Sequence, residues 1–324
     1  MTNSKMNNRI LVAAVLITTY VLVPLLFGGN SYLLGVVVSA FTIAGIAVAW
    51  ALLGNLGGMI SFGHAAFFGI GAYTSSLLAM RFGVSPLLGL LLGGLGAVVA
   101  SLAMLPVLRL RGPYFALAIL AYAEIFRILA VELKSITGGA GGLLSIPGLP
   151  TVAGFDLNTK LGGYFTIVTI VAVSVLVYYL IRRSTYGLAL RAMHDSENAT
   201  RVLGVPATRL KALMLIVSAF ITGVVGAFNA HFINFLEPNY AFAGTWTILP
   251  IVAAIFGGYR TLTGPVAGAL VIYLMDQLLF KSLIPQGHQL ILGGLLVAMI
   301  LFAPDGLVGV LLRKVKGGGD HATT

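Results

Sequence analysis

The 324-residue chain has no cysteine, which rules out a disulfide framework, thiol nucleophiles and thiolate metal sites together. It is nearly as poor in charge. Only 9% of residues are Asp, Glu, Lys or Arg, where an ordinary globular domain carries about a quarter, and a surface facing water cannot be built from so few. Also missing is any G-x-x-x-x-G-K-[ST] phosphate loop, so the chain cannot bind and hydrolyse ATP by that route. The histidines His64, His194, His231 and His288 stand singly, with no second histidine or carboxylate at ligand spacing, which leaves no metal-site pattern and no cofactor to expect. A formal charge of +10 raises the question of nucleic acid. No basic patch interleaved with aromatics lies in a segment long enough to fold outside the apolar runs, so none is expected as a partner.

What the chain has instead is apolar residues, 59% of the total, with a mean hydropathy of +1.02. They fall in repeated runs near the roughly 20 residues that cross a bilayer as helix. Strand-like alternation is absent, and helices satisfy their own backbone groups in hydrocarbon. The expected fold class is all-α: one polytopic transmembrane bundle over residues 1–324. Ten spans can be drawn, at 10–27, 33–53, 64–80, 86–108, 114–133, 163–181, 212–232, 243–259, 262–280 and 288–303. The first follows Lys5 and Arg9 like a signal peptide, but no small-x-small cleavage site follows and a second run begins at once, so it is expected to be retained. The runs 64–80 and 243–259 are short, Gly-containing and polar, which makes either a candidate for a re-entrant or broken helix.

Charge placement gives the orientation. With the amino terminus cytoplasmic, 14 of the 19 basic residues fall in inner segments, among them Arg109, Arg111, Arg182, Arg183 and Arg191, and only Arg81, Lys134, Lys160 and Lys281 fall outside. Under the positive-inside rule this predicts ten spans with both termini inside. Two connections are long: a turn-rich outer loop, 134–162, and an inner segment, 182–211. The inner one runs Arg191-Ala192-Met193-His194-Asp195-Ser196-Glu197-Asn198-Ala199-Thr200-Arg201-Val202-Leu203-Gly204. Asp195 or Ser196 suits an N-cap, and Gly204 with Pro206 suits a stop, so a short helix is expected between them. Its apolar face could lie on lipid or dock into a partner protein, and its acidic residues argue against plain adhesion to anionic lipid.

Ionisable groups inside spans are costly and are functional candidates by default. Glu124 and Arg127 lie three apart on one helix face; they either neutralise one another structurally or serve translocation or gating. Asp276 has no cation at helical spacing on its own helix, and either finds a partner on another helix or lies near the interface. His231 and Glu237 close the seventh run at the outer face, where solvation explains them as well as function does. Ser61 and His64 either cap and bend the start of the third span or line a pathway.

Four stretches resemble a known family, the LivM-type permeases of branched-chain amino acid ABC importers. They are Gly57-Gly58-Met59-Ile60-Ser61-Phe62-Gly63-His64-Ala65 through Tyr73; Leu108-Arg109-Leu110-Arg111-Gly112-Pro113-Tyr114-Phe115-Ala116 through Gly142; Gly187 to Lys211 running into Ser218-Ala219-Phe220; and Phe256-Gly257-Gly258 with Gly264-Pro265-Val266-Ala267-Gly268. Their order and spacing carry the match, and the second stretch points to the LivM-like rather than the LivH-like partner. The resemblance implies no catalysis on this chain. It implies an importer in a bacterial-type plasma membrane, with a LivH-like second permease, two cytoplasmic ATPase subunits and an extracytoplasmic substrate-binding protein. It makes 195–204 the coupling helix, with Asp195, Glu197, Asn198, Ala199, Arg201 and Gly204 toward the ATPase. Glu197, Ala199 and Gly204 resemble the Glu-Ala-Ala…Gly signature of other importers at a spacing one residue longer. Related importers carry urea or other small amides and acids. A secondary transporter using Glu124 and Asp276 as coupling carboxylates is the rival without an ATPase.

Overall fold

The computed structural model describes residues 18–110, 112–196, 200, 204–285, 287–302 and 306–308. A π turn, Thr18–Leu22, and a short helix, Val23–Phe27, lead in. Helix α1, Ser31–Ala51, is capped by the Asn30 side chain, which accepts from the Tyr32 and Leu33 N–H groups at 3.1 Å. It continues through a π turn, Leu52–Leu56. After the glycine-rich break come α2, His64–Phe82, and α3, Pro86–Ala103. Between them Gly83 closes α2 at φ +63°, a left-handed position open to glycine. Pro106 stops α3 short of the expected 108 and leaves a 3₁₀ turn, Leu105–Arg109.

Helix α4, Pro113–Glu132, starts with proline in its first turn. The outer loop holds a one-turn helix, Lys134–Thr137, a 3₁₀ turn, Gly139–Gly141, and two-residue strands β1, Leu143–Leu144, β2, Thr151–Val152, and β3, Phe155–Asp156. Helix α5, Lys160–Arg183, is capped by Thr159, whose hydroxyl accepts from the Gly162 N–H, and ends on two arginines that complement its dipole. Helix α6, Thr185–Asp195, follows on a Ser184 cap. Then come α7, Ala207–Ile233, strand β4, Phe235–Leu236, a short helix, Pro238–Ala241, and α8, Thr245–Gly257. Helix α9, Gly264–Met275, runs on through a π turn, Asp276–Phe280, to Lys281–Leu283, and α10 is His288–Phe302.

Of the two runs open to breakage, 64–80 is one unbroken helix, while 243–259 is divided from Pro238–Ala241 by Phe242–Gly244. Among the described residues, seven helical segments are long and apolar enough to cross a membrane. Among the same residues, the strands modify the all-α expectation only at the outer loop and at the segment after α7 that meets it. There β1 pairs with β4, Leu143 opposite Leu236, and β2 pairs with β3.

Helix α1 is the centre of one packing group, with most of its residues buried against α5, α8 and α9; the other group is α7 against α2 and α3. Close approach explains the glycines in the second group. A Cβ on Gly71 would overlap the Gly223 backbone, and one on Gly226 would overlap the backbone of Phe68. Outward faces stay apolar: Leu88, Leu91, Leu95, Val99 and Leu102 of α3 are all exposed, as are Ile125, Ile128 and Leu129 of α4. Belts of this extent exceed the exposed apolar patches of water-soluble monomers. Lipid is the solvent that suits them.

A cleft beside a half-exposed ion pair

The break between α1 and α2 is braced by hydrogen bonds from within it and from α1 and α8. Trp50 Nε1 donates to the Ser61 carbonyl at 2.9 Å, the Gly63 N–H donates to Ser61 Oγ at 3.2 Å, and the Ala65 N–H donates to Thr247 Oγ1 at 3.0 Å. The last of these ties the start of α2 to the start of α8. His64 Nε2 lies 3.0 Å from Ser218 Oγ, which donates its single proton to the Ala49 carbonyl at 2.9 Å. Nε2 must therefore carry the imidazole proton. Nδ1 has no partner among the described residues. Ser61 and His64 are fully buried, and it is their neighbours Phe62 and Ala65 that reach an open space.

That space is a cleft of about 450 Å³ between the start of α2, the middle of α4 and the start of α8. Phe62, Leu117, Leu120, Ala121, Phe242 and Thr247 are among its lining residues, and Glu124 supplies its one charged wall. Arg127 Nε donates to both Glu124 oxygens at 3.0 Å, and its Nη1 donates to Asn239 Oδ1, also at 3.0 Å. The pair on one helix face expected from the sequence is thus formed, with a third member from the short helix before α8. The Glu124 side chain is 55% exposed, near the middle of the 20-residue α4.

Asp276 lies elsewhere, in the turn after α9, and is buried. It has a cation on its own helix after all: Lys281 Nζ is 3.8 Å from Asp276 Oδ2. The π turn brings this about, since its i to i+5 bond, from Lys281 N–H to the Asp276 carbonyl, aligns residues five apart. His231 also departs from expectation. It is fully buried rather than solvated, with Nδ1 2.7 Å from the Pro147 carbonyl and Nε2 2.7 Å from Ser75 Oγ. It ties the outer loop to α2 and α7, helped by Asn234, whose amide donates to the Ile146 carbonyl.

On the opposite side, α6 was not foreseen. It buries Leu190 and Met193 among Tyr178 of α5 and Ala207, Leu210 and Met214 of α7. Asp195 ends it. Ser196 follows with extended backbone, its carbonyl accepting the Thr200 N–H at 3.1 Å, as at a helix start. At Gly204, φ is +81°, and the next N–H, of Val205, bonds the Thr200 carbonyl at 3.2 Å, the six-to-one bond of a helix stop. Glu197, Asn198, Ala199 and Arg201 lie outside the described residues. The sequence also gave no notice of Asn239, Phe242 or Thr247 as neighbours of Glu124. Their polarity and aromaticity are ordinary, and only the tertiary fold brings them together.

A bundle of long apolar helices with lipid-compatible outer faces and a charged cleft defines a multi-pass membrane protein. The chain belongs to the family described as the permease component of the branched-chain amino acid transport system, whose sequence pattern matches residues 32–300. It is 31% identical over 287 residues to the high-affinity branched-chain amino acid transport permease LivM of Salmonella typhimurium, and 30% identical to that of Escherichia coli. Each alignment covers 81% of this chain, which spans 66% of either relative. The LivH permease of Escherichia coli is 26% identical over 83% of this chain and 91% of its own length. No solved structure matches the chain.

Proposed function

We propose that the chain is the membrane-spanning permease subunit of an ATP-driven importer for branched-chain or related amino acids. It crosses a bacterial-type plasma membrane ten times with both ends in the cytoplasm. One observation carries the pathway's position: a charged pair, half-exposed near the middle of a spanning helix. Charge at that depth is costly against lipid and is tolerated where it faces protein or a water-filled passage. The face formed by α2, α4 and α8 is therefore covered in the working complex, and a LivH-like second permease is the partner that completes the cleft. The names of the LivM and LivH relatives support that pairing.

Energy comes from two cytoplasmic ATPase subunits, and solute comes from an extracytoplasmic binding protein. The contact with the ATPase is the segment 195–204. The bonds at its two ends, Thr200 N–H to the Ser196 carbonyl and Val205 N–H to the Thr200 carbonyl, support that reading, and α6, which leads into it, packs against α5 and α7. Co-expression with candidate LivH-like, ATPase and binding-protein subunits, followed by uptake in proteoliposomes, tests the reading. ATP-dependent accumulation of leucine, isoleucine or valine is expected; a complex that assembles but carries none of them would refute it.

A further inference from the structure

We infer that the Glu124–Arg127–Asn239 group selects zwitterionic solutes: Glu124 takes the solute's ammonium, Arg127 takes its carboxylate, and the cleft takes its aliphatic side chain. The inference rests on the reading of the chain as an amino acid permease and adds to it a specificity-determining site. The cleft has the size and character of a small-molecule site, about 450 Å³ with mostly apolar walls, and pockets of this kind fix orientation through few polar groups. Here Glu124 is the charged group on the wall, and directly behind it stand Arg127, bonded to it, and Asn239, bonded to Arg127.

Each charged group keeps capacity beyond its present partner. The guanidinium has five N–H groups; three are engaged, by Nε and Nη2 on Glu124 and by Nη1 on Asn239. One N–H remains on each Nη. Among the described residues Glu124 accepts only from Arg127, and more than half of its side chain is open, with the residue forming part of the cleft wall. A zwitterion supplies both charges at once, so each partner of the resident pair gains an opposite charge and neither is left alone in an apolar setting. Solutes with one charge satisfy one partner only, and a neutral amide or urea satisfies neither. Phe62, Leu117, Leu120 and Phe242 then present apolar surface to a branched side chain.

The test uses the assembled permease–ATPase complex in nanodiscs and three probes: leucine, 4-methylpentanoate, which lacks the ammonium, and 3-methylbutylamine, which lacks the carboxylate. The parent complex is expected to bind leucine at least tenfold more tightly than either analogue. Glu124→Gln is expected to weaken leucine and the amine by about tenfold or more, the size expected for one charge-assisted contact, and to spare the carboxylate. Arg127→Gln is expected to do the reverse. An equal fall for all three probes, or changes under twofold in both variants, would overturn the inference, since a structural role cannot read the sign of the ligand's charge. If either variant fails to assemble, Asn239→Ala loosens the Arg127 fork alone. It is then expected to weaken leucine and the carboxylate but not the amine, and an unaltered profile would overturn the inference. Leucine uptake by the parent complex is measured in parallel. If it is absent, the functional reading fails; if it is present without the charge-specific crossover, only the role of the pair fails.

Discussion

At Ser218 a single hydroxyl proton fixes the state of a histidine on another helix. Because that proton goes to the Ala49 carbonyl, His64 is held as the Nε2–H form. Ser218→Ala strands a buried donor, His64 Nε2–H, while the Ala49 carbonyl keeps the Leu52 N–H, a loss of about 1–3 kcal/mol for an unsatisfied group. A lower unfolding midpoint in detergent is expected, and an unchanged one would mean that His64 is held by other contacts. At Asp276 the order of effects is specific. Lys281→Met leaves a buried carboxylate without its cation and is expected to lower the midpoint, while the double variant Asp276→Asn/Lys281→Met recovers most of the loss. Failure of the double variant to recover would count against the pair. The residue types were legible in the sequence, but their partners were not: Asp276 finds Lys281 only because the backbone takes a π turn, which no i, i+4 rule anticipates.

At the scale of elements, hydrophobic runs located the helices well, since each long apolar stretch must close its own hydrogen bonds in lipid. Pro106 ended α3 early, and the polar run 64–80 proved continuous. Helix α6 escaped notice because it is short and rich in polar residues; its Ser184 cap and its buried Leu190 and Met193 were the available signs. Glycine in the spans has a measurable role. Gly223→Leu drives a side chain into Ala97 and the α3 backbone, and overpacking of this kind costs about 1–3 kcal/mol. Gly29→Ala meets nothing within 4 Å and is expected to be silent. Equal midpoints for the two variants would contradict close helix approach at Gly223. Gly204→Val forces a β-branched residue to φ +81°, a strain of about 1 kcal/mol or more. Gly204→Val and Glu197→Lys are both expected to lower the solute carried per ATP hydrolysed while the protein still reaches the membrane. Undiminished transport by both would remove 195–204 from the coupling role.

For the whole molecule, composition alone placed the chain in lipid, whereas the cleft had to be assembled by the fold. Glu124 and Arg127 were marked by their cost in a spanning helix, yet Phe62, Asn239, Phe242 and Thr247 come from distant parts of the chain and only tertiary packing makes them neighbours. Ten spans with both ends inside remain a matter of charge distribution, and the absence of cysteine offers a clean test. A single cysteine at Ala140 is expected to react with a membrane-impermeant maleimide added from outside, and one at Arg209 only after the membrane is opened. The reverse pattern would invert the topology.

The most direct measurement compares amino acid transport by the purified chain alone with transport by the complete complex, in the same liposomes, with and without ATP. Accumulation of a branched-chain amino acid only by the complete complex, and only with ATP inside its ATPase compartment, is the expected result. Transport by the chain alone, independent of ATP and of any second subunit, would contradict it.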